Sequence, residues 1–102
     1  MTYQEFRQAI EVFGLEERGT LDQIKARQRE LVKAHHPDQG NGRDAEMIRK
    51  VNSAYEVLTA YCENYRYCFT EEEFLEQVPE ERLRRQFGWD PAWSGKGESE
   101  QD

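Results

Sequence analysis

The chain has 102 residues, of which 36% are hydrophobic and 34% charged, with a net charge of −7. This length supports one domain around one core and excludes a second full domain. The acidic balance argues against a general nucleic-acid or anionic-membrane binder, and no apolar run approaches the ~20 residues that span a bilayer.

The acidity is uneven: residues 1–69 carry 11 acids and 10 bases, whereas residues 70–102 carry 10 acids and 4 bases. The polar start, Met1-Thr2-Tyr3-Gln4, lacks the charged-then-apolar order of a signal peptide, so a cytoplasmic location is expected. Cys62 and Cys68 have no neighbouring histidine and are too few for a disulfide framework or a four-ligand zinc site, which predicts two reduced thiols. The sequence has no internal repeat.

In chain order, Phe6, Ile10 and Phe13 recur at helical spacing, and Gly14 is placed to supply a left-handed cap, so a first short helix should end near Phe13. Thr20-x-x-Gln23 matches a capping box and starts a second helix at Leu21, about residues 20–35 with its cap. Projected at about 100° per residue, Leu21, Ile24, Gln28, Leu31, Val32 and His35 share one arc, which should face the core. Lys25, Arg29 and Lys33 line a neighbouring arc and point toward His36. Pro37 disfavours helical geometry at His36, so the helix stops there and a loop follows from His36 to Asp44. Such a loop is slightly longer than the usual ~2–8 residues of bundle connections, and a loop longer than closure requires often has a task.

A third helix, about residues 45–62, carries Met47, Val51, Ala54, Leu58 and Tyr61 on its core face, flanked by Ile48, Tyr55 and Cys62, and should pack antiparallel to the second. After an irregular stretch, Thr70-x-x-Glu73 forms another capping box before a short fourth helix. Pro79 suits the first turn of a fifth, ending at Gly88, and the last residues have the composition of a disordered tail. No strand pattern occurs, so the fold class is all-α. The expected domains are 1–69, a short helical extension at 70–93 packing on or beside it, and an acidic tail at 94–102.

The segment His36-Pro37-Asp38 invites two readings. The plain one is a helix end: a cation favoured by the helix dipole, a stop signal and a turn former. Its placement favours another. The sequence resembles the J domain, the co-chaperone module of the DnaJ family, in a short bacterial-type form. His36, Pro37 and Asp38 stand in the loop between two antiparallel helices; the preceding helix carries Lys25, Arg29 and Lys33; and Val51-Asn52-Ser53-Ala54-Tyr55-Glu56-Val57-Leu58 is similar to the family's third-helix pattern. Phe13-Gly14-Leu15 resembles the end of its first helix. The resemblance covers about residues 3–60.

It implies a protein that is not itself an enzyme, uses no cofactor or metal, and docks as a monomer on a DnaK-type chaperone whose ATP hydrolysis it stimulates. His36, Pro37, Asp38, Lys25, Arg29 and Lys33 would be the partner-binding residues. Departures from the family pattern are Gln28 in place of a frequent tyrosine, Glu30 at a usually basic place and His35 for a common aromatic; reduced partner affinity is one expectation. For Gln28 and His35, partial burial with a hydrogen bond is the favoured reading. A remodelled C-terminal end, without the client-holding regions of full-length DnaJ chaperones, is another expectation. Phe87, Trp89 and Trp93 are expected to fold back over the first and third helices, with binding of a specific client as the rival role. Arg82, Arg84 and Arg85 should be a solvated face paired with Glu80 and Glu81.

Two other classes compete. Helices joined by a turn, one of them basic, suggest a helix-turn-helix nucleic-acid binder, against which the acidic total speaks. A hydrolase or metal site built on His35, His36 and Asp38 would need a nucleophile or third ligand that does not accompany them.

Overall fold

The computed structural model describes residues 1–36 and 42–88, and every regular element among them is an α-helix: α1 Tyr3–Phe13, α2 Leu21–Ala34, α3 Gly42–Glu63, α4 Glu71–Gln77 and α5 Pro79–Gln86. The chain divides into two compact units, the first Met1–Tyr65 and the second beginning at Arg66. None of the described helices is long and apolar enough to cross a membrane.

Helix ends in the first unit are set by local chemistry. At α1 the Glu5 amide donates to the Thr2 hydroxyl at 3.1 Å while the Thr2 amide donates to the Glu5 carboxylate at 3.0 Å. This reciprocal cap satisfies two backbone donors that the first turn leaves unpaired. Gly14 adopts φ 62°, and its amide donates to the Glu11 carbonyl as the Leu15 amide donates to Ile10, both at 3.2 Å. That Schellman closure needs the left-handed backbone that a Cβ disfavours. The capping box expected at α2 is formed, with Gln23 N–H to Thr20 Oγ1 at 3.2 Å and Thr20 N–H to Gln23 Oε1 at 2.9 Å.

The core is a three-helix contact. Ala9 and Phe13 of α1, Ile24 and Leu31 of α2, and Val51, Ala54 and Leu58 of α3 are buried, Phe13 and Val51 completely. Leu21, Gln28, Val32 and His35, the remaining members of the expected α2 core arc, are half-buried at its margin. Tyr61 departs from its expected place: it is 43% exposed, its ring 4.5 Å from that of Phe6 and 5.7 Å from that of Tyr65. One turn beyond Leu58 the core ends, and aromatic rings at the surface take over from aliphatic packing. A further tie joins α1 to α2, where Arg27 Nε donates to the Phe13 carbonyl at 2.8 Å, capping a helix end from a distant part of the chain.

In the second unit Thr70 caps α4 by accepting from the Glu73 amide at 3.3 Å, but the reciprocal half of the box is replaced, because the Glu73 carboxylate accepts from Gln77 Nε2 at 3.0 Å. Pro79 opens α5 at the first turn, as expected. Neither α4 nor α5 contains a fully buried residue, and Phe74 and Leu83 are exposed. Ion pairs join the two helices: Arg85 to Glu71, and Arg82 to Glu76 at 3.7 Å, while Arg84 pairs with Glu81 inside α5. The expected arginine face is therefore neutralised largely from α4, with Glu81 as its partner on its own helix. Trp89, Trp93 and the acidic tail lie outside the described residues.

Candidate partner-docking site

Lys25, Arg29 and Lys33 are all exposed on α2. At 1.5 Å rise per residue they form a row about 12 Å long within an arc of roughly 80°. The ion pair that α2 makes among the described residues runs through a different side chain, Arg27, bound to Glu30 at 3.0 Å. Glu30, whose sequence position suggested an interruption of the basic face, is thus partnered by Arg27. Asp22 was missed as a member of this face: it lies one turn before Lys25, in the first turn of α2, so the row begins acidic and ends basic. Both ends complement the helix dipole, the plain structural role of Asp22 and Lys33.

The helix ends one residue earlier than expected. Ala34 is its last residue and His35 its C-cap, at φ −118° and ψ 39°, with the His35 amide donating to the Leu31 carbonyl at 3.1 Å. His36 follows as an exposed residue, the last one described before residues 37–41. Pro37 and Asp38 lie outside the described residues. Helix α3 resumes at Gly42, so Asp44, expected at the edge of the loop, belongs to its first turn. A carboxylate there is favoured by the positive end of the helix dipole, which explains the earlier start. His35 Nδ1 lies 3.2 Å from Asp44 Oδ1, joining the end of α2 to the start of α3. The expected hydrogen bond of a half-buried His35 is therefore made, and its partner is a residue that sequence reasoning left unassigned.

The remaining chemistry is sparse. Cys62 packs beside the core and Cys68 is exposed, both free. Burial, with a smaller contribution from the Glu63 charge, pushes the Cys62 thiol up. Among the described residues no group of three His, Cys, Asp or Glu side chains is arranged to hold a metal. A groove of 570 Å³ between α1 and α3 is open and charged, lined in part by Glu5, Glu11, Glu46, Arg49 and Lys50.

The described residues form a small all-helical module whose second helix carries a row of exposed cations. Residues 9–67 match the DnaJ domain family, and the match spans more than half the chain, which therefore belongs to that family. Among curated proteins it is similar to the chaperone protein DnaJ of Ureaplasma parvum serovar 3, 40% identical over 53 residues, covering 52% of this chain and 14% of that protein. The chaperone protein DnaJ of Geobacillus thermodenitrificans is 41% identical over 54 residues, again 52% of this chain and 14% of the relative. That of Roseiflexus castenholzii is 39% identical over 54 residues, 15% of its length. The chain thus spans only 14–15% of the length of these relatives. No solved structure matches it.

Proposed function

We propose that this chain is a co-chaperone that docks on a DnaK-type chaperone through His36-Pro37-Asp38 and the basic face of α2, and thereby stimulates ATP hydrolysis by that partner. The observation that carries the reading is the family match over residues 9–67, with His36 directly following the C-cap of a helix that displays Lys25, Arg29 and Lys33 to solvent. Three cations on a rigid helix steer an acidic partner surface, acting more on the encounter rate than on final affinity. The Pro37 ring restricts the backbone, Asp38 offers an acceptor to a partner arginine, and His36 supplies a donor beside it. The reacting groups belong to the partner. The chain acts by binding one conformation of the chaperone better than another, an allosteric coupling rather than catalysis of its own. It does so as a cytoplasmic monomer, and any choice of client resides after residue 69.

Single-turnover hydrolysis of ATP by a cognate DnaK tests this. The wild-type chain accelerates it, while His36→Gln and Asp38→Asn do not, at unchanged helicity. Equal acceleration by wild type and variants would remove the motif from the mechanism. DNA affinity with a steep salt dependence would instead favour a nucleic-acid binder.

A further inference from the structure

The bond between His35 and Asp44 is placed where it governs more than stability. His35 is the last residue held by α2, through its amide to the Leu31 carbonyl, and it is covalently joined to His36. Asp44 sits in the first turn of α3, so the 3.2 Å contact between Nδ1 and Oδ1 spans the base of the segment that contains His36, Pro37 and Asp38. Both side chains are shielded, His35 being 33% and Asp44 20% exposed, so water competes for the bond less than at an open surface. A carboxylate accepts, so the imidazole donates from Nδ1, which fixes the ring plane. Asp44 also sits at the helix end that an acid favours, the N-terminus.

We infer that His35 and Asp44 form a clasp that positions the His-Pro-Asp segment for docking, by fixing the direction in which the chain leaves α2. They are positioning residues and do not touch the partner. The inference rests on the proposed function for its consequence, because a set direction at residue 35 matters only if His36 must meet a partner group. The division of labour that follows is specific: the cations of α2 hold the complex together, and the clasp sets how much of the bound complex has the loop correctly presented. Losing the clasp therefore lowers the stimulated rate at saturating co-chaperone, whereas losing a stripe cation raises the concentration needed for half-saturation.

The test uses the full chain with His35→Ala, Asp44→Ala, the double variant, and Asp44→Asn, which keeps an acceptor oxygen for Nδ1–H. In single-turnover ATP hydrolysis at saturating chain, His35→Ala and Asp44→Ala should each lower the stimulated rate about threefold to tenfold, the population ratio that one hydrogen bond sustains. The double variant should be no worse than either single one, and Asp44→Asn should stay near wild type. A role confined to holding the hairpin together predicts lower thermal stability with the saturated rate intact. An unchanged saturated rate in Asp44→Ala, alongside the complete loss expected of His36→Gln, would overturn the clasp while leaving the proposed function standing.

Amide NMR supplies the second readout, independent of any chaperone. Asp44→Ala and His35→Ala should displace the His36 amide resonance in the same way, the double variant adding nothing. Additive displacements, or a His36 resonance indifferent to residue 44, would overturn the inference even if the wild-type chain stimulated no ATPase.

Discussion

Helix α2 carries two kinds of cation, and the structure predicts opposite consequences of removing them. Lys25, Arg29 and Lys33 are exposed in a row, with steps of four residues, or about 6 Å along the axis. That spacing is below the screening length of about 8 Å at physiological ionic strength, so neighbouring charges act together on an approaching acidic surface. An exposed ion pair contributes about 0.2–1 kcal/mol, so three contacts amount to roughly 0.6–3 kcal/mol. At 1.4 kcal/mol per tenfold, replacing all three by alanine should weaken binding to a DnaK-type chaperone by roughly threefold to hundredfold, with most of the effect in the association rate. Stability should move little, by about 0.5 kcal/mol per site or less.

Arg27 differs in that its Nε donates to the part-buried Phe13 carbonyl at 2.8 Å. Removing a charge-assisted donor from a carbonyl that closes a helix costs about 2 kcal/mol. For a folded unit of this size that corresponds to a fall in Tm of roughly 8–16 °C. Surface-captured DnaK gives the binding constants at low and physiological salt, and circular dichroism gives the melts. A triple variant that melts as early as Arg27→Ala, or binds as well as wild type at low salt, would refute the assignment of these cations to separate tasks.

Two further outcomes follow from the first unit. Gly14→Ala forces a side chain into φ 62° and should destabilise the chain by about 1–2 kcal/mol in urea unfolding, although the place a Cβ would occupy meets only the tip of Arg27 at 3.6 Å. The two thiols should separate on titration with a disulfide reagent: exposed Cys68 reacts first, and Cys62, whose thiol burial holds above its ordinary range, gains on it only as the pH is raised. By the same shift the unfolded Cys62 ionises before the folded one. Its small contribution to stability is therefore complete below the ordinary thiol pKa and is lost as the pH rises through the higher folded value.

The legible parts of this fold are those written in local chemistry. Thr20 with Gln23, and Phe13 with Gly14, announced two helix ends because the capping partners lie within one turn of each other. The same signal stands at Thr2 and Glu5, where it starts α1. The apolar periodicity of α2 and α3 identified Ile24, Leu31, Val51, Ala54 and Leu58 as core, since a helix that buries one face must repeat it. Tyr61 continued that period and is nevertheless exposed, because periodicity gives a direction and not the distance to which a neighbouring helix extends.

The ties that shape the site were hidden for a related reason. Arg27 reaches the carbonyl of a residue fourteen positions earlier, and His35 reaches one nine positions later. Neither follows from a helical repeat, and both depend on how α1, α2 and α3 pack. At the site the sequence supplied the row of cations on α2, and the structure bears out their shared exposed face. The role of that face, together with those of His36, Pro37 and Asp38, belongs to the proposal.

The most direct measurement is the rate at which a preformed complex of DnaK and ATP discharges its single turnover as the concentration of this chain is raised. The wild type should give a saturable acceleration and His36→Gln a flat response, with identical far-ultraviolet dichroism for the two proteins. A flat response to both, or parallel curves for both, would contradict the proposed function.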